Sequence, residues 1–336
     1  MKFSLIICTY HRPKALMSLL DSVKLQTLYP DEILIVDGSK DQKTKETLED
    51  INFPNLSYFK VKDQDRGLTK QRNFGISKVG CAIEVVCFLD DDVVLEQDYF
   101  ELLLNTYQKH PQAIGVGGYI KDVVEWIPKD ELYSVKFNEY KIDGYVRKLG
   151  SRNVLRKKFN LLSQDPPGYM PKFSNGLSTA FLPPSNKTYK VEFFMGGVSS
   201  FKKELLHKLK FSEYFEGYGL YEDMDFCLRA SKIGQLYVNT AAKLDHYHEP
   251  DGRPNQFDYG KMVIRNGWYV WRVKYPKPDF KSRLKWHATA LLLILVRLSN
   301  SFNTSSKKAA FTESIGRIYG WWSLMFLPPQ IGKYEK

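Results

Sequence analysis

The sequence predicts an α/β fold: a mostly parallel central sheet with helices on both faces, followed by a helical C-terminal extension. Three observations lead there. Strand-like and helix-like segments alternate through the first 120 residues, the signature of repeated βα units. The run Val85 to Leu89 is short, β-branched and apolar without alternation, as in a strand covered on both faces. From about residue 258 onward the pattern turns to long amphipathic helices.

The elements follow in order. Lys2 to Cys8 reads as the opening strand. Pro13 to Leu25 reads as a helix, with proline at its start and Leu16, Leu19, Leu20 and Val23 on one face. Glu32 to Val36 is a second strand that ends at Asp37-Gly38-Ser39. Lys43 to Glu49 is a short helix, Leu56 to Val61 a third strand, and Leu68 to Lys78 a helix. Ile83 to Leu89 is the next strand, Asp98 to His110 a helix, and Ala113 to Ile120 a strand. Residues 121 to 190 lose this rhythm. They are rich in proline, aromatics and lysine, and they read as an insertion or a mobile loop region. Order returns with a strand at Val191 to Met195, a helix at Lys202 to Leu209, a helix opened by Tyr221-Glu222-Asp223 that runs to about Ile233, and a strand at Leu236 to Asn239.

The chain has 336 residues, 43% of them hydrophobic, and a formal net charge of +11. That size holds one large domain with an appendage. The expected division is a domain over 1–257, comprising 1–120, the 121–190 insertion and 191–257, and a helical region over 258–336. The four cysteines show no metal-ligand spacing, which fits a reduced cytosolic compartment. No secretory signal is expected, since Leu5-Ile6-Ile7 is too short for one. The positive charge invites nucleic acid as a partner, but no nucleic-acid module is recognisable.

Chemistry concentrates at Asp90-Asp91-Asp92, directly after an apolar strand. Three adjacent carboxylates repel one another unless a cation sits among them. Their hard oxygens suit Mg²⁺ or Mn²⁺, which enzymes usually share with substrate phosphates. Thr9, Asp37 and Asp90 to Asp92 all fall at strand carboxyl ends, where open α/β sheets bind ligands, so one crevice can hold them all. Arg66 and Arg72 suit either phosphate oxygens or these aspartates. Glu222-Asp223 opens a helix, where carboxylates serve as caps or, within reach of a hydroxyl, as general bases.

Five motifs in this order resemble family 2 glycosyltransferases of the GT-A, Rossmann-like fold. They are Ser4 to Pro13, Ile35 to Ser39, Arg66 to Ile76, Phe88 to Asp92, and Gly196-Gly197 with Glu222-Asp223. Together they cover roughly residues 1 to 250. The resemblance implies a metal-dependent inverting enzyme that moves a sugar from a nucleoside-diphosphate sugar to a saccharide hydroxyl. Thr9, Tyr10, Arg12, Asp37, Arg66, Arg72, Asp90, Asp91 and Gly197 would then bind the nucleotide sugar. Within that set Asp37 would face a uracil- or thymine-type base, and Asp90 and Asp91 would face ribose or metal waters. Asp92 would be the direct ligand of Mn²⁺ or Mg²⁺. His246, favoured over His248, would be a further ligand, and Arg253 would touch donor phosphate. Asp223 would be the base, and Glu222 and Asp225 would stand behind it or contact the acceptor, with a solvated helix residue the equal alternative for Asp225.

Tyr145, Arg147, Arg152 and Arg156 to Lys158 are candidates for recognising a phosphate-bearing, lipid-linked acceptor, or they form a solvated basic surface. In the tail, Ala288 to Val296 and Ile318 to Leu327 are apolar and bounded by Lys285, Arg297 and Arg317. Both are too short to span a bilayer and fit helices lying in its interface. Packing on the catalytic domain or against another subunit is the competing expectation. The resulting picture is a cytoplasmic enzyme of surface-polysaccharide assembly, peripheral on the inner membrane face. The alternatives are a nucleotidyltransferase, disfavoured by the lack of a glycine-rich loop after the first strand, and a non-catalytic scaffold.

Overall fold

A computed structural model describes residues 1–49, 53–121, 124–247, 254–303 and 306–332. His248 and Arg253 lie outside the described residues. In chain order the first elements are β1 (Phe3–Thr9), α1 (Pro13–Lys24), β2 (Glu32–Asp37), α2 (Lys43–Glu49), β3 (Leu56–Lys60), α3 (Leu68–Lys78), β4 (Val85–Asp90), β5 (Val93–Leu95), α4 (Tyr99–Lys109) and β6 (Ala113–Ile120). Then come β7 (Ile127–Pro128), β8 (Glu139–Ile142), β9 (Tyr145–Lys148), α5 (Ser151–Lys158), β10 (Thr188–Val191), β11 (Val198–Lys202), α6 (Lys203–Lys208), α7 (Glu222–Ala230) and β12 (Gln235–His246). The last three are α8 (Gln256–Lys274), α9 (Phe280–Asn303) and α10 (Lys307–Phe326). Two compact units form: 1–123 with 184–253, and 124–183 with 254–333.

The first unit is built on a nine-stranded sheet in the order β10-β12-β6-β11-β4-β1-β2-β3, with β5 paired to β12. β1 runs parallel to β2 and β4, β2 to β3, and β12 to β6, while β11 is antiparallel to both β4 and β6. Six strands therefore share one direction, and their carboxyl ends share one edge. Leu5, Ile7, Ile33, Ile35, Val85 and Cys87 are fully buried under helices. Each such aliphatic side chain contributes roughly 1.5–3 kcal/mol. α1 buries the predicted Leu16, Leu19, Leu20 and Val23 and carries proline in its first turn.

Two strands differ from expectation. The segment expected to be a strand at Val191 to Met195 leaves the sheet after Val191, and the strand that matters is β11, after the glycine pair. Ser199 and Ser200 disguise it in sequence. Both are buried because their hydroxyls donate to Gly196 O and Val116 O, each at 2.7 Å. β12 extends well beyond Asn239, through an irregularity between Val238 and Lys243. Asn239 stabilises that bend: its side-chain oxygen accepts from Ala241 N–H, and its amide donates to Leu102 O and Thr106 Oγ1.

In the second unit, part of the segment read as loop is a three-stranded sheet, β7-β9-β8. The β8–β9 hairpin turns on Asp143-Gly144, with φ of 53° and 77°, the left-handed pair that a two-residue hairpin needs. Arg147 and Arg156 are not a solvated surface. Both are buried: Arg147 donates to Ala180 O (2.7 Å), and Arg156 donates to Asn153 Oδ1, Ser174 Oγ and Asn175 O. Arg152 and Lys158 are exposed. α8 and α10 meet through glycines. A Cβ on Gly260 would sit 2.1 Å from Glu313 O, and one on Gly316 would sit 2.0 Å from Phe257 O. Buried Glu313 is held by Arg297 and Arg317 at 2.7 and 2.6 Å. No described helix is long and apolar enough to cross a membrane.

Candidate active site

The shared strand edge collects most of the predicted residues. Asp90 ends β4, beside Cys8 of β1. Asp91 and Asp92 form the turn into β5. That short strand then pairs antiparallel with the end of β12, setting His246 opposite Val93. Tyr247 N–H donates to Asp92 O at 2.9 Å. This register delivers His246 to the triplet, with Nε2 3.0 Å from Asp92 Oδ1.

Asp90, Asp92 and His246 each offer an atom to a cluster whose members lie within 4.8 Å of one another. Two carboxylates and an imidazole are a donor set that fits a divalent cation. The hydrogen bond that His246 donates to the Asp92 carboxylate raises the His246 pKa. Metal ligation needs the neutral ring, so cation and proton compete at Nε2.

Asp91 turns the other way. It is buried, accepting from Thr9 Oγ1 at 2.7 Å and Arg12 Nη1 at 3.1 Å. Burial pushes its carboxyl up to about 6, against the lowering effect of those two donors. Asp91 thus ties the β1 end to the β4 end rather than joining the cluster. Arg12 also lies 3.5 Å from Asp92.

Asp37 is fully enclosed, with Oδ1 accepting from Ser39 N–H and Oδ2 from Tyr58 OH, both at 2.7 Å. Arg66 donates to Gly38 O and Asp63, both at 2.6 Å, so the structure does not bring it to the triplet. Tyr10 is exposed and packs edge-on against His11, 4.4 Å between rings.

Gly197 sits against the cluster because nothing else fits. A Cβ there would lie 2.0 Å from Asp90 Oδ2. Its neighbour Gly196 donates its N–H to Asp223 Oδ2 at 3.0 Å, while Met224 N–H caps Asp223 Oδ1 at 2.7 Å. Asp223 is partly exposed, and its surroundings raise its pKa chiefly by desolvation, opposed by those two N–H donors. Glu222 is buried and bound to Arg72 at 2.6 Å. Burial raises the Glu222 carboxyl, and Arg72 opposes the rise. Asp225 is fully buried and bound to Arg229 at 2.6 Å, a helix-bracing pair away from solvent.

The sequence profile of glycosyl transferase family 2 matches residues 4–209, more than half of the chain. The chain belongs to glycosyl transferase family 2. It is 31% identical over 140 residues to the glucosyl-dolichyl phosphate glucuronosyltransferase of Haloferax volcanii, a match covering 41% of this chain and 44% of that protein. It is 33% identical over 95 residues to the O-antigen chain rhamnosyltransferase RfbN of Salmonella typhimurium, covering 28% of this chain and 29% of that one. The matches thus span less than half the length of either relative. Among solved structures, GalNAc-T7 with UDP, GalNAc and Mn²⁺ superposes with a TM-score of 0.52 at 16% identity, covering 81% of this chain and 50% of that one. That likeness carries the GT-A fold.

The family 2 domain uses supporting residues that sequence reasoning passed over. Gln71 lies within the Arg66 to Ile76 motif, yet its job is structural: its amide donates to Thr9 O (3.2 Å) and Val36 O (2.8 Å), pinning two strand ends. Tyr58 holds Asp37 from β3. A polar residue inside an otherwise helical motif, and a tyrosine level with Asp37 on the next strand, were the only signals available.

Proposed function

We propose that this family 2 protein moves a sugar from a nucleoside-diphosphate sugar, of UDP or dTDP type, to a hydroxyl of a saccharide acceptor. On this reading the reaction inverts the anomeric carbon, depends on a divalent cation, and uses a lipid-linked acceptor in surface-glycan assembly. The observation that supports it most is the convergence of Asp90, Asp92 and His246 at the sheet edge from two strands far apart in sequence. A Mn²⁺ or Mg²⁺ ion held by these three would neutralise the diphosphate leaving group as the glycosidic bond breaks.

The chain's own residues do the rest. Thr9 and Arg12 fix Asp91, and so fix the turn that carries Asp92. The β1 and β2 ends, from Thr9 to Arg12 and from Asp37 to Ser39, form the platform for the base, with Asp37 stiffening it through Ser39 and Tyr58. Asp223 takes the proton of the acceptor hydroxyl. Each of its oxygens already accepts one backbone N–H and retains a lone pair for that proton. A single displacement from the face opposite the diphosphate inverts the anomeric centre. A screen of UDP-, dTDP- and GDP-sugars for Mn²⁺-dependent release of nucleoside diphosphate tests this. Turnover is expected with a uridine or thymidine donor and none after chelation. Turnover that survives chelation would defeat the cation reading.

On the same reading the protein works at a membrane surface. α10 exposes Phe311, Ile315, Ile318, Trp322, Met325 and Phe326, spaced so as to share one helix face. α9 exposes Leu284, Leu291 and Leu295 in the same manner. Between residues 280 and 332 seven side chains are Lys or Arg, against the single acid Glu313. An apolar face in cationic surroundings suits an anionic lipid interface. Trp322→Glu and Phe326→Glu together are expected to lower recovery on phosphatidylglycerol vesicles by roughly tenfold or more, the loss of one to two buried aromatic side chains. Unchanged flotation would reject the lipid partner in favour of a protein one.

A further inference from the structure

Four consecutive side chains of α3 each hold a different part of the site. Lys70 pairs with Glu216 at 3.1 Å. Gln71 pins the ends of β1 and β2. Arg72 reaches Glu222 with Nη1 at 2.6 Å and Asp90 with Nη2 at 3.6 Å. Asn73 exchanges two hydrogen bonds with the Phe211 backbone, at 2.8 and 2.9 Å. Arg72 is the member that joins the two halves of the chemistry. It is 2% exposed and lies over the rings of Phe88 and Phe211, 5.8 and 5.2 Å from their centroids. Those rings keep water off the guanidinium, which strengthens both of its ion pairs.

We infer that Arg72 is a positioning residue that couples cation and nucleotide binding at Asp90 to the ordering of the Glu222-Asp223 segment. The inference rests on the cation reading proposed above. The guanidinium is one rigid fork, so a change in the charge it faces at Asp90 alters its hold on Glu222. The segment it holds includes a non-glycine residue in the left-handed region, a conformation that persists only where surrounding contacts fix it. Gly217, Gly219 and Tyr221 all have positive φ (78°, 75° and 71°), and this backbone leads directly into Glu222. α3 also touches the same segment through Lys70 on Glu216 and through Leu68 N–H, which donates to Gly217 O at 3.4 Å. A lysine at 72 supplies a point charge in place of the fork, and cannot serve both carboxylates at once.

Hydrogen–deuterium exchange with and without Mn²⁺ and UDP tests the coupling. In the wild type, ligand is expected to slow exchange over 90–92 and, by about fivefold or more, over 216–224. Removing Arg72 alone strands a buried carboxylate, so the informative variant is the neutral pair Arg72→Met with Glu222→Gln, and Arg72→Lys is a second. Both are expected to keep the protection at 90–92 and lose that at 216–224. Protection at 216–224 that persists in both variants overturns the coupling. Loss of protection at both places makes Arg72 part of the donor site and overturns it too. A wild type protected nowhere overturns the cation reading itself, and the coupling with it.

Discussion

Asp92→Asn is expected to lower sugar transfer by roughly 10²–10⁴-fold, the worth of several kcal/mol of leaving-group charge stabilisation. The substitution keeps the size of the side chain and the backbone bond from Tyr247 N–H to Asp92 O. What it removes is the charge between Asp90 and His246. The expected signature is a loss of Mn²⁺-dependent nucleoside-diphosphate release, together with weakened Mn²⁺ binding. Substrate-saturated turnover near the wild-type rate would show that Asp92 is not a ligand.

Asp223→Asn is expected to cost about 10²–10⁴-fold in transfer, the usual contribution of a positioned general base. It should do so with Mn²⁺ and nucleotide binding intact, which separates it from Asp92→Asn. The pH profile adds a second mark. A base works only when deprotonated, and burial raises the Asp223 pKa. The acid limb of the rate profile should therefore lie at higher pH than an ordinary aspartate would give. In the asparagine variant the residual rate should lack that limb. An unchanged limb would assign it to another group.

The placement of several candidate residues was legible in the sequence. Parallel strands buried on both faces announce themselves as largely apolar runs, so β1, β2 and β4, and the aspartates at the end of β4, could be read directly. The alternation of βα units then set Thr9, Asp37 and Asp90 on one edge. The partition of the triplet was not legible. Whether Asp91 faces the cation or the fold depends on Thr9 and Arg12, whose reach across β1 is a matter of tertiary geometry. His246 reached the right neighbourhood on resemblance. The device that delivers it, β5 pairing with an extended β12, was hidden because β5 is only three residues long and β12 is bent at Asn239.

β11 was missed for a different reason. Its two buried serines satisfy themselves on nearby carbonyls, so its sequence carries no apolar run. The Asp143-Gly144 hairpin, by contrast, did leave a short-range signal, obscured by the aromatic and basic residues around it. Arg72 shows the limit of reading a charge from its type. Phosphate, carboxylate and solvent all suit arginine, and only the fold reveals that its partners are Glu222 and Asp90.

The most direct test of the cation site is an equilibrium Mn²⁺ titration followed by electron paramagnetic resonance, with UDP present, on the wild type, Asp92→Asn and His246→Ala. The expected result is one bound Mn²⁺ per chain in the wild type, with affinity weakened about tenfold or more in each variant. Wild-type binding retained in both variants, or no binding in any of the three, would contradict a cation held by Asp90, Asp92 and His246.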